Sequence, residues 1–295
     1  LIQIILAQQY INAHNTNSSG DTSSGSSSSS SSNSTNHTTI PKITNIVFMG
    51  MGDAGGNLKS VTTAVHTLID TQKFQFSPNK ICVSTVGPKP ETFTELLSLP
   101  VQTAWSLHSV NDNVRKLLVP STKYTTVEMR DSIIMNMTKK PYKKRVLLVA
   151  FTLISGINDS LQDAKDIYEF LLPLHSICSK VIINLIPYNN IYTTSSSSGS
   201  SDGINKKRMN SLTASFERPA DHRIVAMMQY LREKGLFCSV RSTRGESEAA
   251  ACGMLVTQRQ RGGLRTPTTS TSNTVTAPCC NICVRKDCFT KCYKM

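Results

Sequence analysis

The chain is poor in aromatic residues, with one tryptophan, and only 17% of its residues are charged. Acids are the scarcer sign: 19 Asp and Glu stand against 32 Lys and Arg, a net charge of +13. That imbalance favours a polyanionic partner, since each phosphate neutralised releases counterions; the bland alternative is a solvated basic surface. No apolar run approaches the ~18–20 residues a membrane span needs, and the best, Val146 to Ile154, reads as a buried strand. The apolar start, Leu1-Ile-Gln-Ile-Ile-Leu-Ala7, has no basic stretch before it, unlike a secretory signal. Cysteine is missing from the whole stretch before Cys82, so no thiolate cluster can be built there. Cys82, Cys178 and Cys238 fall in apolar segments and read as core thiols of a reducing compartment.

Ser, Thr and Asn are abundant instead. Residues 1–14 carry apolar side chains at helical spacing and read as the remnant of a helix. Residues 15–40 are too rich in Ser, Thr, Asn and Gly to bury a core and are expected to be disordered. Residues 41–258 form the folding core, interrupted by a flexible insert at 193–212, and 259–295 form a linker and a Cys-rich tail. About 220 residues are then able to fold, which suits a single α/β unit.

Within the core, strands are expected at Thr44–Met49, Ile81–Thr85, Thr103–Leu107, Val146–Leu153, Val181–Ile186 and Phe237–Arg241. Helices are expected at Leu58–Asp70, Glu91–Leu97, Asp112–Leu118, Thr126–Met137, Ser160–Ile177 and Asp221–Lys234. Val146–Leu153 is apolar almost throughout, as a parallel strand covered on both faces should be. Strands alternating with helices imply a parallel sheet with right-handed crossovers. An open sheet and a partial barrel share this pattern.

Polar motifs close these strands, where parallel α/β folds place their ligand sites. They are Ile46-Val-Phe-Met-Gly-Met-Gly52 with Asp53, then Val83-Ser-Thr-Val-Gly87, Trp105-Ser-Leu-His108 and Asn184-Leu-Ile-Pro-Tyr-Asn189. Gly245 stands seven residues before Cys252 in Ala250-Ala-Cys-Gly253. Each has a bland reading. Gly50-Met-Gly-Asp-Ala-Gly55 also fits G-x-G-x-x-G, yet the next strand ends without the carboxylate a dinucleotide ribose needs. Ser84 and Ser106 would serve as helix caps, His108 as a core histidine, Asn189 as a turn residue and Cys252 as a small buried hydrophobe. Arg241 and Arg244 would draw the Cys252 thiol toward thiolate.

In this order the motifs resemble the radical-SAM adenine-C2 RNA methyltransferases of the RlmN/Cfr type, over about residues 42–256. The resemblance implies a partial (β/α) barrel of radical-SAM type. Gly52, Asp53, Ser84, Ser106, Leu107, His108 and Asn189 would bind S-adenosyl-L-methionine, and Cys252 would carry the methyl group to C2 of an adenine in large-subunit rRNA or tRNA. The radical would come from a second S-adenosyl-L-methionine at a [4Fe-4S] cluster. Asp53 stands where the family has Glu, Ala54 where it has Pro, and Ser247-Glu248 where it has Asp-Ile.

The family's Cys-x-x-x-Cys-x-x-Cys is absent, and the tail cysteines (279, 280, 283, 288, 292) do not have its spacing. The chain therefore reads as a piece lacking the first strand and cluster loop, inactive by itself, with cluster ligands expected upstream. Cys280, Cys283, Cys288 and Cys292 would suit a zinc site, or the tail is unstructured. Expected partners are RNA and an external electron donor, with no membrane; the enzyme would be monomeric and intracellular, in cytoplasm or an organelle. Two other readings stay open: a catalytically dead RNA-binding relative, and a dinucleotide-binding oxidoreductase.

Overall fold

The computed structural model describes residues 1–17, 40–49, 52–121, 123–189 and 216–241. Gly50, Met51, Arg244, Gly245, Cys252, the 193–212 insert, the Cys-rich tail and nearly all of the Ser-rich tract lie outside these residues. A first helix, α1 (Ile2–Asn17), precedes β1 (Ile46–Phe48), α2 (Leu58–Ile69), β2 (Ile81–Thr85), α3 (Glu91–Ser98) and β3 (Gln102–Ser106). Two helices follow, α4 (Asp112–Leu118) and α5 (Thr126–Met137), then β4 (Val146–Leu153), α6 (Leu161–Ile177), β5 (Lys180–Pro187), α7 (Asp221–Glu233) and β6 (Phe237–Val240).

Local chemistry explains most boundaries. Ser160 and Thr125 begin α6 and α5 with reciprocal capping boxes, paired with Asp163 and Glu128, which satisfies two otherwise orphaned amides at each start. Asn111 caps α4 by accepting from Asn113 N (3.0 Å) and Val114 N (3.3 Å). Within the core the expected boundaries coincide with those found or differ by one or two residues. β3 stops at Ser106 because Leu107 N and His108 N both turn to the carbonyl of Ala150 on the next strand (3.0 and 3.2 Å).

All six strands are parallel, and each pairs with its neighbour in sequence, in the order β1-β2-β3-β4-β5-β6. A doubly wound sheet reverses its order at a switch point; none of the described strands does. Right-handed crossovers that always step the same way leave their helices on one side. The core agrees. Ile81 and Val83 of β2 pack with Leu58, Val61, Val65 and Leu68 of α2. Trp105, Leu147, Val149, Phe151, Val181, Ile183 and Leu185 pack with side chains of α3, α5, α6 and α7. The fold is a partial (β/α) barrel.

Successive strand residues point to opposite faces, so the register names the other, concave face: Cys82 and Ser84, Ala104 and Ser106, Leu148, Ala150 and Thr152, Ile182, Asn184 and Ile186. None of these belongs to the two apolar clusters. Among the described residues, helix side chains pack on the Leu147–Val149–Phe151 face of β4, and Ala150 on the other face is buried as well. Among those residues no helix is long and apolar enough to cross a membrane.

Leu171 and Leu172 of α6 test this one-sided packing, being 0% and 42% exposed respectively. Leu171→Ala should cost about 2–5 kcal/mol of unfolding free energy in urea titrations. Leu172→Ala should stay within about 0.5 kcal/mol. Equal costs would show that α6 presents another face to the sheet.

Candidate functional site

The site lies where the concave face meets the C-terminal ends of β1 to β5. Ser84 Oγ and Ser106 Oγ, on adjacent strands, share a hydrogen bond of 2.9 Å. Beside them Ala104 and Ala150, paired in register with Ser84 and Ser106, keep the surface low. Hydroxyls and small side chains make a floor on which a ligand can lie against the strands.

His108 caps this floor from the turn after β3. Its φ is +65°, a conformation that costs a non-glycine residue free energy and persists only when its surroundings enforce it. The enforcement is visible. Thr152 N donates to His108 Nδ1 (3.1 Å), and Asn158 Nδ2 donates to both His108 O (2.7 Å) and Thr152 O (2.8 Å). Asn158 Oδ1 also accepts from Ile154 N (2.7 Å), so this buried amide ties the end of β3 to the end of β4. An Nδ1 that accepts fixes the tautomer that carries its proton on Nε2, and no protein acceptor meets Nε2 among the described residues. Burial first, and the Arg115 charge second, push the His108 pKa down to about 4. His108 is therefore a neutral hydrogen-bond donor at neutral pH.

The loop after β2 is held from both sides. Asp53 Oδ1 accepts from Val86 N (2.9 Å), and Asp53 Oδ2 accepts from Thr85 Oγ1 (2.8 Å) and Gly55 N (3.1 Å). On the other side Arg115 Nη2 donates to Val86 O. Arg115 is only 1% exposed, and its Nε and Nη1 have no partner among the described residues; burial lowers its pKa, partly offset by nearby Asp112. Gly52 enters the loop with φ +68°. Gly55 leaves no room for a side chain, since a Cβ there would meet Thr85 Oγ1, and Pro88 Cδ at 2.8 Å.

The structure thus gathers Gly52, Asp53, Ser84, Ser106, His108 and Asn189 at one edge of the sheet. Asp53 spends both carboxylate oxygens on its own fold. Leu107 contributes backbone only, its side chain lying in the helix-side core. Asn189 follows β5, whose exit is fixed by Tyr188 N bonding to Leu153 O (3.0 Å). Cys252 lies outside the described residues. Sequence reasoning missed Asn158 and Arg115. The signal for Asn158 was present, a Gly-Ile-Asn-Asp loop closing β4. Arg115 sits at an ordinary position of an amphipathic helix and gave none.

No family model matches the chain. Among curated proteins it is similar to the dual-specificity RNA methyltransferase RlmN of Francisella tularensis subsp. tularensis (strain FSC 198), 32% identical over 214 residues, 72% of this chain and 51% of that protein. RlmN of Pseudomonas fluorescens (strain SBW25) is 32% identical over 216 residues, 73% of this chain and 50% of that protein. Among solved structures, a radical SAM methyltransferase from Sphaerobacter thermophilus superimposes with a TM-score of 0.58 at 29% identity, over 72% of this chain and 55% of that one. The chain belongs to the RlmN/Cfr-type radical SAM methyltransferase family. It spans about half the length of the curated relatives it matches.

The lowered pKa of His108 has a measurable consequence. Between pH 6.5 and about 4 the unfolded chain binds a proton that the folded chain does not, so this residue's contribution is present above pH 6.5 and is lost as pH falls to 4. The loss is of the order of 3 kcal/mol. His108→Gln should flatten the fall in urea-unfolding free energy across that window relative to the parent. Parallel curves for the two would show that His108 titrates normally.

Proposed function

We propose that this chain is the sheet core of an intracellular radical SAM enzyme that methylates C2 of adenine in large-subunit rRNA, and in tRNA. The reading rests above all on one observation: family members' motif residues converge on a donor-rich floor at the C-terminal ends of parallel strands. The residues present fit S-adenosyl-L-methionine. Ser84, Ser106 and the Nε2–H of His108 offer hydrogen bonds to an amino acid or ribose group, Gly52 brings backbone close, and Asn189 adds an amide. That ligand, when bound, supplies the methyl group and the precursor of the adenosyl radical. Cys252 is the thiol we assign to carry the methyl to RNA, with an external donor supplying the electrons.

A [4Fe-4S] cluster does not fit the described residues. Cys82, Cys178 and Cys238 are all buried, and burial pushes their pKa values up to about 12, 11 and 12. Among the described residues no three His, Cys, Asp or Glu side chains stand together as metal ligands. We derive no step through a cluster from them. The second reading, an RNA-binding relative without catalysis, is decided by activity. The third, a dinucleotide oxidoreductase, is disfavoured by the unreversed strand order and by β2 ending in Ser84-Thr85 with no acid.

Calorimetric titration of the chain with S-adenosyl-L-methionine should show binding. Ser84→Ala/Ser106→Ala should weaken it about fivefold to thirtyfold, as loss of one or two hydrogen bonds worth about 1 kcal/mol each implies. Mass analysis should find 2-methyladenosine in RNA treated with active enzyme and none with Cys252→Ala. Parent-rate methylation by Cys252→Ala would remove that residue from the mechanism, and absence of ligand binding by the parent would remove the site.

A further inference from the structure

We propose that the opposite edge of the barrel, at the N-terminal ends of β4, β5 and β6, is a second surface for the phosphate backbone of RNA. This inference rests on the RNA reading above. Lys139, Lys140, Lys143 and Lys144 place four cations in six residues, with Arg145 next to them. No acid lies between Asp131 and Asp159, nor between Glu169 and Asp202, so both segments that meet at this edge lack negative charge. None of the ion pairs among the described residues involves these four lysines. Lys139 donates to Asn136 Oδ1 (3.1 Å). Lys140 has its pKa lowered, first by burial and then by repulsion from Lys144.

A solvated basic face is the ordinary explanation for surface lysines. Two features go beyond it. Arg145 does not join the patch but holds it in shape: its guanidinium donates to Lys140 O (2.8 Å), Thr138 O (3.0 Å) and Ile177 O (3.3 Å). One carbonyl at the end of each of α5 and α6 is thereby bonded by this guanidinium and not by a lysine. Aromatic rings also interleave with the charges. Tyr142, within the lysine run, is 59% exposed, and Phe237 is 45% exposed with Lys180 Nζ 3.9 Å above its ring centre. The two segments are continuous, because Lys180 N bonds to Arg145 O (3.3 Å). Cations tracking a backbone beside exposed rings are the ingredients of binding to unpaired RNA.

The patch is separated from the candidate site by the length of β4, eight residues, or roughly 25 Å.

The test measures binding of the full chain to a stem-loop RNA with unpaired adenines, across a salt series, for the parent and for Lys139→Gln/Lys143→Gln/Lys144→Gln. Tyr142→Ala is measured separately. The triple variant should lower the slope of log affinity against log salt by about 2–3, close to one unit for each phosphate left without its cation. Tyr142→Ala should weaken binding roughly fivefold or more without changing the slope. Affinity of both variants for S-adenosyl-L-methionine should be unchanged. Neutralising Lys59, Lys116 and Lys165, exposed on other helices, should have a smaller effect. A parent that binds RNA with the slope of the triple variant overturns the patch while the RNA reading stands. Equal losses in the control triple overturn it as well, as does a parent that binds phosphatidylserine vesicles in preference to RNA. The catalytic reading is decided separately, by the 2-methyladenosine assay.

Discussion

The arrangement depends on one constraint, the alternation of side chains along a parallel sheet whose helices lie on one side. Odd-numbered positions of β2, β3 and β4 bury Ile81, Val83, Trp105, Leu147, Val149 and Phe151 beneath the helices. Their even-numbered neighbours, Ser84, Ala104, Ser106, Ala150 and Thr152, are left to the concave face. The apolar burial that stabilises the sheet therefore also fixes which side chains can meet a ligand. A one-residue slip of any strand would exchange the two sets, so core stability and site composition cannot vary independently.

The strand ends become a site because their loops are tied together across strands. Asp53 spans from the loop after β1 to the backbone of Val86, Arg115 reaches back to the same residue from α4, and Asn158 joins the turn after β3 to β4. Each tie uses a side chain on the backbone of the adjacent loop. Hydrogen bonds of this kind are individually modest, but together they leave the loops little freedom to rearrange. A ligand at the proposed site would meet donors already in position, with little ordering entropy left to lose.

Most of the fold was legible because its signals are local. Pro90, Ser160 and Gly235 mark helix ends by rules that act within one turn, and the apolar period of α2 follows from its own sequence. The same holds for Ser84, Ser106 and His108, found as polar residues closing apolar runs. The concave face was not legible. Val146–Leu153 is apolar at nearly every position, so periodicity cannot say that Leu148 and Ala150 lie away from the helices; only the register with β3 and β5 does. Asp53 was read as a ligand contact, and its bonds to Thr85 and Val86 cross 32 and 33 residues of chain. A long-range tie leaves no mark in a local pattern. Arg115 is the same case, since a buried guanidinium is defined entirely by what encloses it.

Two departures from ordinary stereochemistry and satisfaction lie beside the candidate site, while others, Gln75 at φ +57° and the unpartnered Thr103 Oγ1 among them, lie elsewhere. His108 holds a positive φ, and Arg115 is buried with Nε and Nη1 unpaired. Both lie at the C-terminal ends of β2 and β3, and their interaction is repulsive toward any proton on the imidazole. The desolvation of Arg115 is met only in part, by the Val86 carbonyl and the nearby Asp112 charge, and such a cost is seldom recovered in full. At the opposite edge Arg145 shows the conventional solution, a guanidinium with donors matched to three backbone carbonyls. The two arginines of one fold thus differ: Arg115 lies enclosed beside the candidate site, and Arg145 frames the basic patch at the opposite edge.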